Sequence, residues 1–422
     1  MPIQFPSNPA TNQTYVYNGI TWTWTGRNWT KPGASGSTVS KDITWANVQT
    51  ANFTANVGSG YPVNTTSSAI TVTLPQNPSR GDQVQFIDYA GTWGTNIVTV
   101  ARNGSNINGI ALNMFLATNR GASTLTYVDS TQGWVGSDAF AVTELGGIPV
   151  DYLVVAGGGG AGAGEPNPGG DGGGGGGAGG YISGSATFTM GIKNITVGAG
   201  GNGSTSHVSA GSRGGNSVIS GTGFTSVTAY GGGGGGSGTV SIPLDGGSGG
   251  GAGNEYSAST PAGKGVYPGS SYISAARQGY DGGDTLNNSI SQRGGSGGGG
   301  SAGAGSTRSS GGGAGGGPGT SNSITGSAVT YAAGGAGGSV GSNANGSSAS
   351  SSTGNGGNGG GSPSSGNAQY IGGSGGSGVV IIAYPDIYPA LASIGAGLTY
   401  DQPTRSGYRV YRFTQGTGTI SW

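Results

Sequence analysis

The segment Asp151-Tyr-Leu-Val-Val-Ala-Gly-Gly-Gly-Gly160 opens a glycine-rich block, and Gly376-Ser-Gly-Val-Val-Ile-Ile382 closes it. Tyr152 to Val155 and Val379 to Ile382 are apolar runs without helical spacing, which is typical of short buried β-strands. We predict that these two strands lie near each other. The block Gly157–Gly378 is then an excursion of the chain whose two ends return to a common base.

The block itself is either a flexible tether or a lattice of closely packed, hydrogen-bonded backbones, because glycine has no side chain whose burial would offset the entropy of ordering it. Composition alone favours a Gly/Ser tether. Short strand-like runs inside the block favour the lattice; they are Tyr181-Ile182, Phe188 to Met190, Ile192 to Val197, Val218-Ile219 and Phe224 to Tyr230. We therefore predict strands that break off into glycine loops and then resume.

Bulk composition excludes several classes of protein. The chain has 422 residues and 101 glycines, but no strict three-residue period, which excludes collagen. Charged residues make up 7% of the chain and the net charge is +0. Because such a surface has no excess of positive charge for phosphates, we do not expect the protein to bind nucleic acid. The apolar runs are too short for a transmembrane helix, and the sequence starts without the features of a secretory signal. There are 0 cysteines, hence no disulfides.

Residues 1–37 are predicted to form an aromatic β-hairpin unit followed by a linker from Lys31 to Ser37. Asn18-Gly19 is the preferred two-residue type I′ turn, since both positions need a positive φ. The turn sets Tyr17 opposite Ile20 and Tyr15 opposite Trp22, and a second turn brings Trp29 back. An isolated hairpin is only marginally stable. We therefore expect its aromatic residues to attach the chain to a larger assembly; the candidates are Tyr15, Tyr17, Trp22 and Trp24.

Residues 38–145 are predicted to form an antiparallel β-sandwich, because short alternating strands recur between turn signals without an amphipathic helix. The strand candidates are Ala69 to Leu74, Gln83 to Ile87, Ile97 to Val100, Ser123 to Val128 and Gly133 to Val135. Residues 146–422 are predicted to form a C-terminal β-sandwich that carries the glycine-rich array at 157–378, with closing strands over 379–422. The whole chain is thus expected to be all-β.

The middle of the glycine block, Leu244 to Ser310, has the least β signal and contains tyrosines among Gly, Ser and Pro. Exposed tyrosines offer a flat ring and a hydroxyl at little entropic cost, and glycine loops let backbone approach a ligand. The predicted ligand-binding residues are therefore Tyr256, Tyr267, Tyr272 and Tyr280. The alternative is that these tyrosines only fill gaps between loops.

No catalytic, metal or cofactor site is predicted. G-x-G-x-x-G spacings are uninformative in so glycine-rich a chain, and Gly263-Lys264-Gly265 lacks the Ser/Thr of a phosphate loop. The single histidine, His207, is interpreted as a loop residue. Glu255, Asp281 and Asp284 match no calcium-loop spacing. A carboxylate pair for glycoside cleavage leaves no local motif, so this alternative stays open.

The strand–glycine motifs quoted above, together with Gly-Gly-Tyr181 and Ile195-Thr-Val-Gly-Ala-Gly-Gly201, resemble the glycine-rich domain of phage tail-fibre proteins, frequent in tailed phages of marine cyanobacteria. Phe5-Pro-Ser-Asn-Pro with Trp22-Thr-Trp resembles a short N-terminal unit of such proteins. Gly81 to Gly91, Arg102-Asn-Gly and Tyr127 to Trp134 resemble a β-domain that recurs in them. The resemblance implies an adhesin on the virion surface, with a bundle of polyglycine helices whose tip loops contact the host receptor.

From these observations we predict a non-enzymatic fibre, made in the host cytoplasm and carried on the virion surface. It is expected to be a homotrimer, since thin β-fibres need partner chains to cover their edges. Other virion proteins would bind its N-terminal region, and a host glycan or lipopolysaccharide its glycine-rich domain. The main alternative is a purely structural virion appendage on head or tail, and a third class is a glycan-cleaving fibre.

Overall fold

The computed structural model is all-β, as predicted. It describes residues 4–31, 43–109, 111, 113–136, 147–188, 191–221, 224–238, 242–253, 260–285, 293–308, 312–386 and 388–422. The described residues contain strands, turns and extended segments, and no helix among them is long and apolar enough to cross a membrane. The chain divides into two compact units, Met1–Ala141 and Val142–Trp422.

The N-terminal hairpin has the predicted turn and register. Its three-stranded sheet comprises β1 (Thr14–Tyr17), β2 (Ile20–Trp24) and β3 (Trp29–Thr30). Asn18 and Gly19 have φ of 49° and 74°, as a type I′ turn requires. Tyr15 lies opposite Trp22 and Tyr17 opposite Ile20. Of the predicted linker, residues 32–37 lie outside the described part of the chain.

The rest of the first unit consists of two sheets. One has the order β10-β9-β7-β5 and the other β12-β11-β8-β6-β4. Their strands are β4 (Thr44–Trp45), β5 (Phe53–Thr54), β6 (Ser59–Val63), β7 (Ile70–Thr73), β8 (Gln83–Asp88), β9 (Val98–Ala101), β10 (Met114–Leu116), β11 (Ala122–Asp129) and β12 (Gly133–Gly136). The ring centroids of Phe53 in one sheet and Tyr61 in the other lie 4.7 Å apart, so the two sheets pack on each other.

The prediction that this sandwich is antiparallel was wrong in part. The pairs β4–β6, β5–β7, β6–β8 and β7–β9 are parallel. The reason is that successive strands from β5 to β9 alternate between the two sheets. Each turn therefore carries the chain across to the opposite sheet, and every second strand returns to the first sheet in the same direction. The same turn residues occur whether the next strand pairs with the previous one or crosses to the opposite sheet, so the sequence does not distinguish the two arrangements.

The second unit is built on a nine-stranded sheet. Its main path is β14-β13-β20-β23-β15-β16-β17, with β21 and β22 also paired to β23, and β18 and β19 form a separate hairpin. The strands are β13 (Ile148–Val155), β14 (Tyr181–Phe188), β15 (Lys193–Val197), β16 (Ser217–Gly221), β17 (Phe224–Ala229), β18 (Thr320–Asn322), β19 (Val329–Tyr331), β20 (Val379–Pro385), β21 (Ser393–Ile394), β22 (Leu398–Asp401) and β23 (Tyr408–Ser421).

The two strands that flank the glycine block pair with each other, as predicted. Val155 of β13 lies opposite Val379 of β20 in an antiparallel ladder, so the block leaves and re-enters the sheet at one point. Both strands are buried on both faces. Val154 and Ile382 belong to one hydrophobic cluster, while Leu153 and Ile381 belong to a second cluster that includes Tyr331 of the β18–β19 hairpin. This double burial explains why the two runs are apolar without alternation.

The C-terminal domain is one curled sheet, which corrects the predicted C-terminal sandwich. Its edge strands β14 and β17 approach each other, and the ring centroids of Phe188 and Phe224 lie 4.5 Å apart. The last residue, Trp422, packs edge-on against Phe188 and against Tyr384. The interior of the near-barrel is therefore filled by aromatic and aliphatic side chains from nearly all strands, and these contacts hold Trp422 in place.

Six strands of this near-barrel continue directly into glycine-rich segments, namely β13, β14, β15, β16, β17 and β20. These and nine further segments form what we call the glycine lattice. Its segments are residues 156–164, 171–180, 198–204, 210–216, 230–238, 246–253, 260–266, 278–285, 293–300, 303–308, 312–318, 332–339, 342–350, 354–362 and 370–378. The block is therefore an ordered lattice and not a tether.

Hydrogen bonds in the lattice repeat every three residues. In segment 156–164, Gly157 and Gly160 donate to segment 210–216, Gly158 and Ala161 to 370–378, and Gly159 and Gly162 to 171–180, with N···O distances of 2.8–3.0 Å. Carbonyls of the same segment accept from segments 198–204, 230–238 and 354–362. A three-residue turn without internal hydrogen bonds is the geometry of a polyproline II-type helix. Segment 156–164 is thus bonded to neighbours on every side.

Glycine is required here for its missing Cβ. In the central segment 171–180, whose residues are all buried, a Cβ at Gly176 would lie 2.1 Å from the carbonyl oxygen of Gly159. A Cβ at Gly173 would lie 2.1 Å from that of Gly162. Neither glycine has a positive φ. Backbones therefore approach each other more closely than any other residue type permits.

Two Gly→Ala substitutions test this packing. Gly176→Ala places a methyl group against a backbone carbonyl, and we expect it to lower the free energy of unfolding by at least about 3 kcal/mol, the upper end of overpacking costs. Gly315→Ala is the matched control, since its Cβ would meet nothing closer than Ser306 Oγ at 3.8 Å. The control should be neutral or stabilise by about 0.4–1 kcal/mol. Urea unfolding of both variants measures the difference, and equal stabilities would contradict a close-packed lattice.

Candidate functional site

Three of the four predicted receptor-binding tyrosines, Tyr267, Tyr272 and Tyr280, lie at the end of the lattice that adjoins the near-barrel. Segment 260–266 runs toward the barrel and segment 278–285 runs away from it, so the loop 267–277 between them lies at the barrel end. Gln278 anchors its end: its carbonyl accepts from Tyr181 N, and its side-chain amide donates to the carbonyl of Thr228. The loop is thus fixed to the strands β14 and β17.

Local hydrogen bonds shape this loop. Val266 and Ile273 form an isolated β-bridge across its base. Ser270 Oγ donates to the carbonyl of Gly265 at 2.6 Å, and Gly269 N donates to Ser274 Oγ at 2.9 Å. Gly269 has a φ of 82°, a conformation that favours glycine at this turn. The serines and glycines of the loop therefore define one conformation.

Arg277 joins two of the predicted tyrosines. Its guanidinium carbon lies 4.8 Å from the ring centroid of Tyr267 and 4.2 Å from that of Tyr280. Both distances are within the range of cation–π attraction, which contributes about 0.5–1 kcal/mol at exposed sites. The arginine and both tyrosines retain partial exposure. The result is a layered stack of flat groups at the surface of the protein.

Asp281 connects the stack to a lysine. Its carboxylate accepts from Gly265 N at 2.9 Å, from Lys264 Nζ at 3.2 Å and from Tyr267 Oη at 3.2 Å. The hydrogen bond to Asp281 raises the pKa of Lys264, against a smaller opposing effect of burial. Burial raises the pKa of Tyr267, and the negative charge of Asp281 adds to this shift. Lys264 thus carries its charge and Tyr267 keeps its proton at neutral pH.

Tyr272, the third described tyrosine, pairs with an arginine from a different lattice segment. The guanidinium carbon of Arg213 lies 5.3 Å from the ring centroid of Tyr272, and Arg213 Nε donates to the carbonyl of Asp245 at 2.6 Å. We call the combined feature the tyrosine–arginine surface. It consists of Arg213, Lys264, Tyr267, Tyr272, Arg277, Tyr280 and Asp281.

Tyr256 and Glu255 lie outside the described residues. Their described neighbours, Gly253 and Thr260, lie at the lattice end remote from the barrel. Asp284 accepts from Ala262 N at 2.6 Å and so supports the backbone. Within the described ranges, no group of three or more His, Asp or Glu residues has the arrangement of a metal site.

The other sequence candidates take structural positions. His207 Nδ1 lies 3.0 Å from Gln369 Oε1, and Gln369 Nε2 donates to the carbonyl of Gly164.

In the N-terminal sheet, the ring of Phe5 stacks on Trp29 with a centroid distance of 5.1 Å and also contacts Tyr15 and Trp22 edge-on. Trp24 contacts Trp29. Three of the predicted attachment residues, Tyr15, Trp22 and Trp24, therefore belong to a small aromatic core, while Val16 and Ile20 of the same sheet are exposed.

Sequence reasoning identified the tyrosines but missed Arg213. Arg213 is separated from Tyr272 by several lattice segments, and the glycine runs between them carry no pattern that would predict which segments are neighbours. Lys264 was considered only as part of an incomplete phosphate loop. The acidic residue Asp281 in the next lattice segment could have indicated that Lys264 forms an ion pair.

A strand-rooted lattice of glycine segments defines a glycine-rich domain. A family model described as a glycine-rich domain matches residues 136–385, more than half of the chain, and the protein therefore belongs to that family. None of the curated proteins compared with the chain matches it.

The Lys264–Asp281 contact predicts a coupled titration. In Asp281→Asn the pKa of Lys264 should fall toward its ordinary value, because the hydrogen bond to a charged carboxylate is lost. A raised folded-state pKa stabilises the protein below the unfolded pKa, 10.5, and this stabilisation is lost as pH rises through the folded pKa. The difference in free energy of unfolding between wild type and Asp281→Asn should therefore shrink as the pH rises above the folded-state pKa of Lys264.

The measurement is an NMR titration of the lysine ammonium groups, with pH-dependent unfolding beside it. Asp284→Asn is the control, since Asp284 is the smallest of the causes that raise the pKa of Lys264. An unchanged Lys264 pKa in Asp281→Asn would show that the ion pair does not form in solution.

Proposed function

We propose that this protein is a host-recognition fibre, or adhesin, on the virion of a tailed phage, and that its tyrosine–arginine surface binds a bacterial surface glycan or lipopolysaccharide. The observation that carries the proposal is the partly exposed stack in which the guanidinium of Arg277 lies over the rings of both Tyr267 and Tyr280. The resemblance of the sequence to phage tail-fibre glycine-rich domains sets the biological context.

The chemistry of the stack suits a glycan. Aromatic rings provide an apolar face for the C–H side of a sugar, while hydroxyl, guanidinium and carboxylate groups fix its hydroxyls in direction. Lys264 and the two arginines add positive charge beside the rings, which suits the phosphate or acid groups of lipopolysaccharide. Charged residues are only 7% of the chain, so their concentration here distinguishes this surface.

Rigidity supports the same proposal. The loop 267–277 is held by hydrogen bonds at both ends to a lattice whose backbones cannot shift independently. A ligand that meets a pre-ordered surface does not have to order it, so less of the interaction energy is lost on binding. The lattice thus acts as a stiff support for surface loops.

Assembly follows from the same proposal. The chain would form a homotrimer, and its aromatic N-terminal unit would attach to other virion tail or fibre proteins through Tyr15, Tyr17, Trp22 and Trp24. The protein would be made in the host cytoplasm and displayed on the virion surface, without catalysis.

One observation favours the alternative of a purely structural appendage. The cationic groups of the surface already have partners within the chain, since Arg277 contacts two rings and Lys264 contacts Asp281. A surface that satisfies itself can serve only to lock the loop onto the lattice. Point variants separate the two possibilities, whereas exchanging residues 244–310 as a whole would remove five lattice segments.

The test is binding of the purified full-length protein to immobilised lipopolysaccharides and capsular polysaccharides from candidate hosts. We expect saturable binding to at least one of them. Arg277→Ala should weaken it at least about tenfold, or about 1.4 kcal/mol. Tyr267→Phe, which keeps the ring face, should bind better than Tyr267→Leu, which loses it.

Arg80→Ala, which removes the same charge from an exposed turn of the first unit, is the matched control and should bind like wild type. Thermal unfolding confirms that each variant is folded. If no polysaccharide binds, or if Arg277→Ala and Arg80→Ala bind equally well, the structural appendage is the better account.

A further inference from the structure

A second polar cleft lies on the outer face of the near-barrel, and none of its lining residues belongs to the tyrosine–arginine surface. Its volume is about 310 Å³. Asp151 of β13 and Ser183 and Ser185 of β14 form one wall, and Asn322 at the end of β18 forms the other. Arg405 closes the cleft from the turn that precedes β23.

Each wall is held in place by its neighbours. Asn322 Nδ2 donates to Tyr181 Oη at 2.8 Å, and Asn322 Oδ1 accepts from Ile324 N at 2.8 Å. A Cβ at Gly326, in the turn between β18 and β19, would lie 2.4 Å from the carbonyl oxygen of Thr404. The hairpin turn and the Arg405 turn therefore pack tightly, and the cleft keeps its width.

The end of the cleft carries an ion pair. Arg405 Nη1 donates to Asp151 Oδ2 at 3.2 Å, and Ser185 Oγ donates to Asp151 Oδ1 at 2.7 Å. The guanidinium also lies over the ring of Tyr408, at 3.6 Å from its centroid. The side chains of Arg405 and Asp151 remain 25% and 38% exposed, so both face solvent in the cleft. A carboxylate has about four acceptor positions and a guanidinium five donors, which exceeds the contacts they make with each other.

These groups select a particular ligand chemistry. The opposite charges cancel, so the ion pair gives the cleft no net charge that would favour an anion or a cation. It offers instead an acceptor and a donor side by side, flanked by hydroxyl and amide groups, which matches the adjacent hydroxyls of a sugar ring. Its volume is at the small end of the range of ligand sites, roughly 300–1,000 Å³, which suits one sugar ring.

We propose that the Asp151–Arg405 cleft binds one neutral pyranose unit, with Asp151 accepting from adjacent sugar hydroxyls and Arg405 donating to them. This is a second glycan site, and it does not rest on the tyrosine–arginine surface. Two sites in one domain would raise the avidity for a polysaccharide that reaches both.

The experiment uses saturation-transfer NMR on the full-length protein with methyl glycosides of glucose, mannose and galactose, and with N-acetylneuraminic acid as an anionic comparison. At least one methyl glycoside should receive saturation at ligand concentrations up to about 10 mM, as expected for weak single-sugar binding. Asp151→Asn should weaken this binding at least about tenfold, because the amide replaces a charged acceptor.

Two further variants make the result specific. Asp401→Asn breaks a comparable ion pair with Arg412 on the same sheet, outside the cleft, and should bind like wild type. Ser183→Trp fills the cleft from an exposed position, leaves the ion pair in place, and should abolish binding. It also covers the case in which Asp151→Asn fails to fold.

Loss of glycoside binding in Ser183→Trp and Asp151→Asn, with retention in Asp401→Asn, supports the proposal. Absence of saturation with every neutral glycoside, binding of N-acetylneuraminic acid alone, or unchanged binding in Ser183→Trp would overturn it. Polysaccharide binding that depends on Arg277 and persists in Ser183→Trp would leave the proposed function intact while this cleft is rejected.

Discussion

The hydrogen bonds between neighbouring glycine backbones are the interaction on which this structure depends. Ordering each residue costs about 1–2 kcal/mol, and glycine buries no side chain to offset that cost. In segment 156–164 this cost is offset by hydrogen bonds to six neighbouring segments and by close backbone contact. The N–H groups of the segment donate to three of these neighbours, and its carbonyls accept from the other three. Such contact exists only because no Cβ intervenes: at Gly176 it would lie 2.1 Å from a neighbouring oxygen. The ordered packing of the lattice therefore depends on this close approach of neighbouring backbones.

A lattice without side chains needs a template, and the near-barrel supplies it. Glycine segments contain little information that would set their register, whereas β13 and β20 are fixed by burial on both faces. Because six strands continue directly into lattice segments, the positions of those segments are set where they leave the sheet. The two kinds of element contribute different physical properties. The lattice and the sheet provide rigidity, whereas the loops and the outer sheet face present polar groups in defined directions.

Sequence reasoning succeeded where an apolar run is continuous or a turn has strict demands. The pairing of Tyr152–Val155 with Val379–Ile382 and the Asn18-Gly19 register were predictable for this reason. It failed where two arrangements use the same local signals: turns between β5 and β9 cross between sheets, and the C-terminal strands curl into one sheet. The partners of Tyr272 and Asp151 were not predictable, since Arg213 is brought to Tyr272 by the order of lattice segments and Arg405 to Asp151 by the order of β13, β20 and β23 in the sheet.

Native-state hydrogen exchange of the glycine amides is the most direct test of the lattice. Segments 156–164 and 171–180 are bonded to neighbours on every side, so their amides should exchange only when the whole second unit unfolds, with protection that approaches the global free energy of unfolding. Amides of the exposed segment 342–350 should exchange through smaller local openings. Exchange of the central amides at the rate of an unstructured chain would contradict the account and would show that the glycine block is a tether.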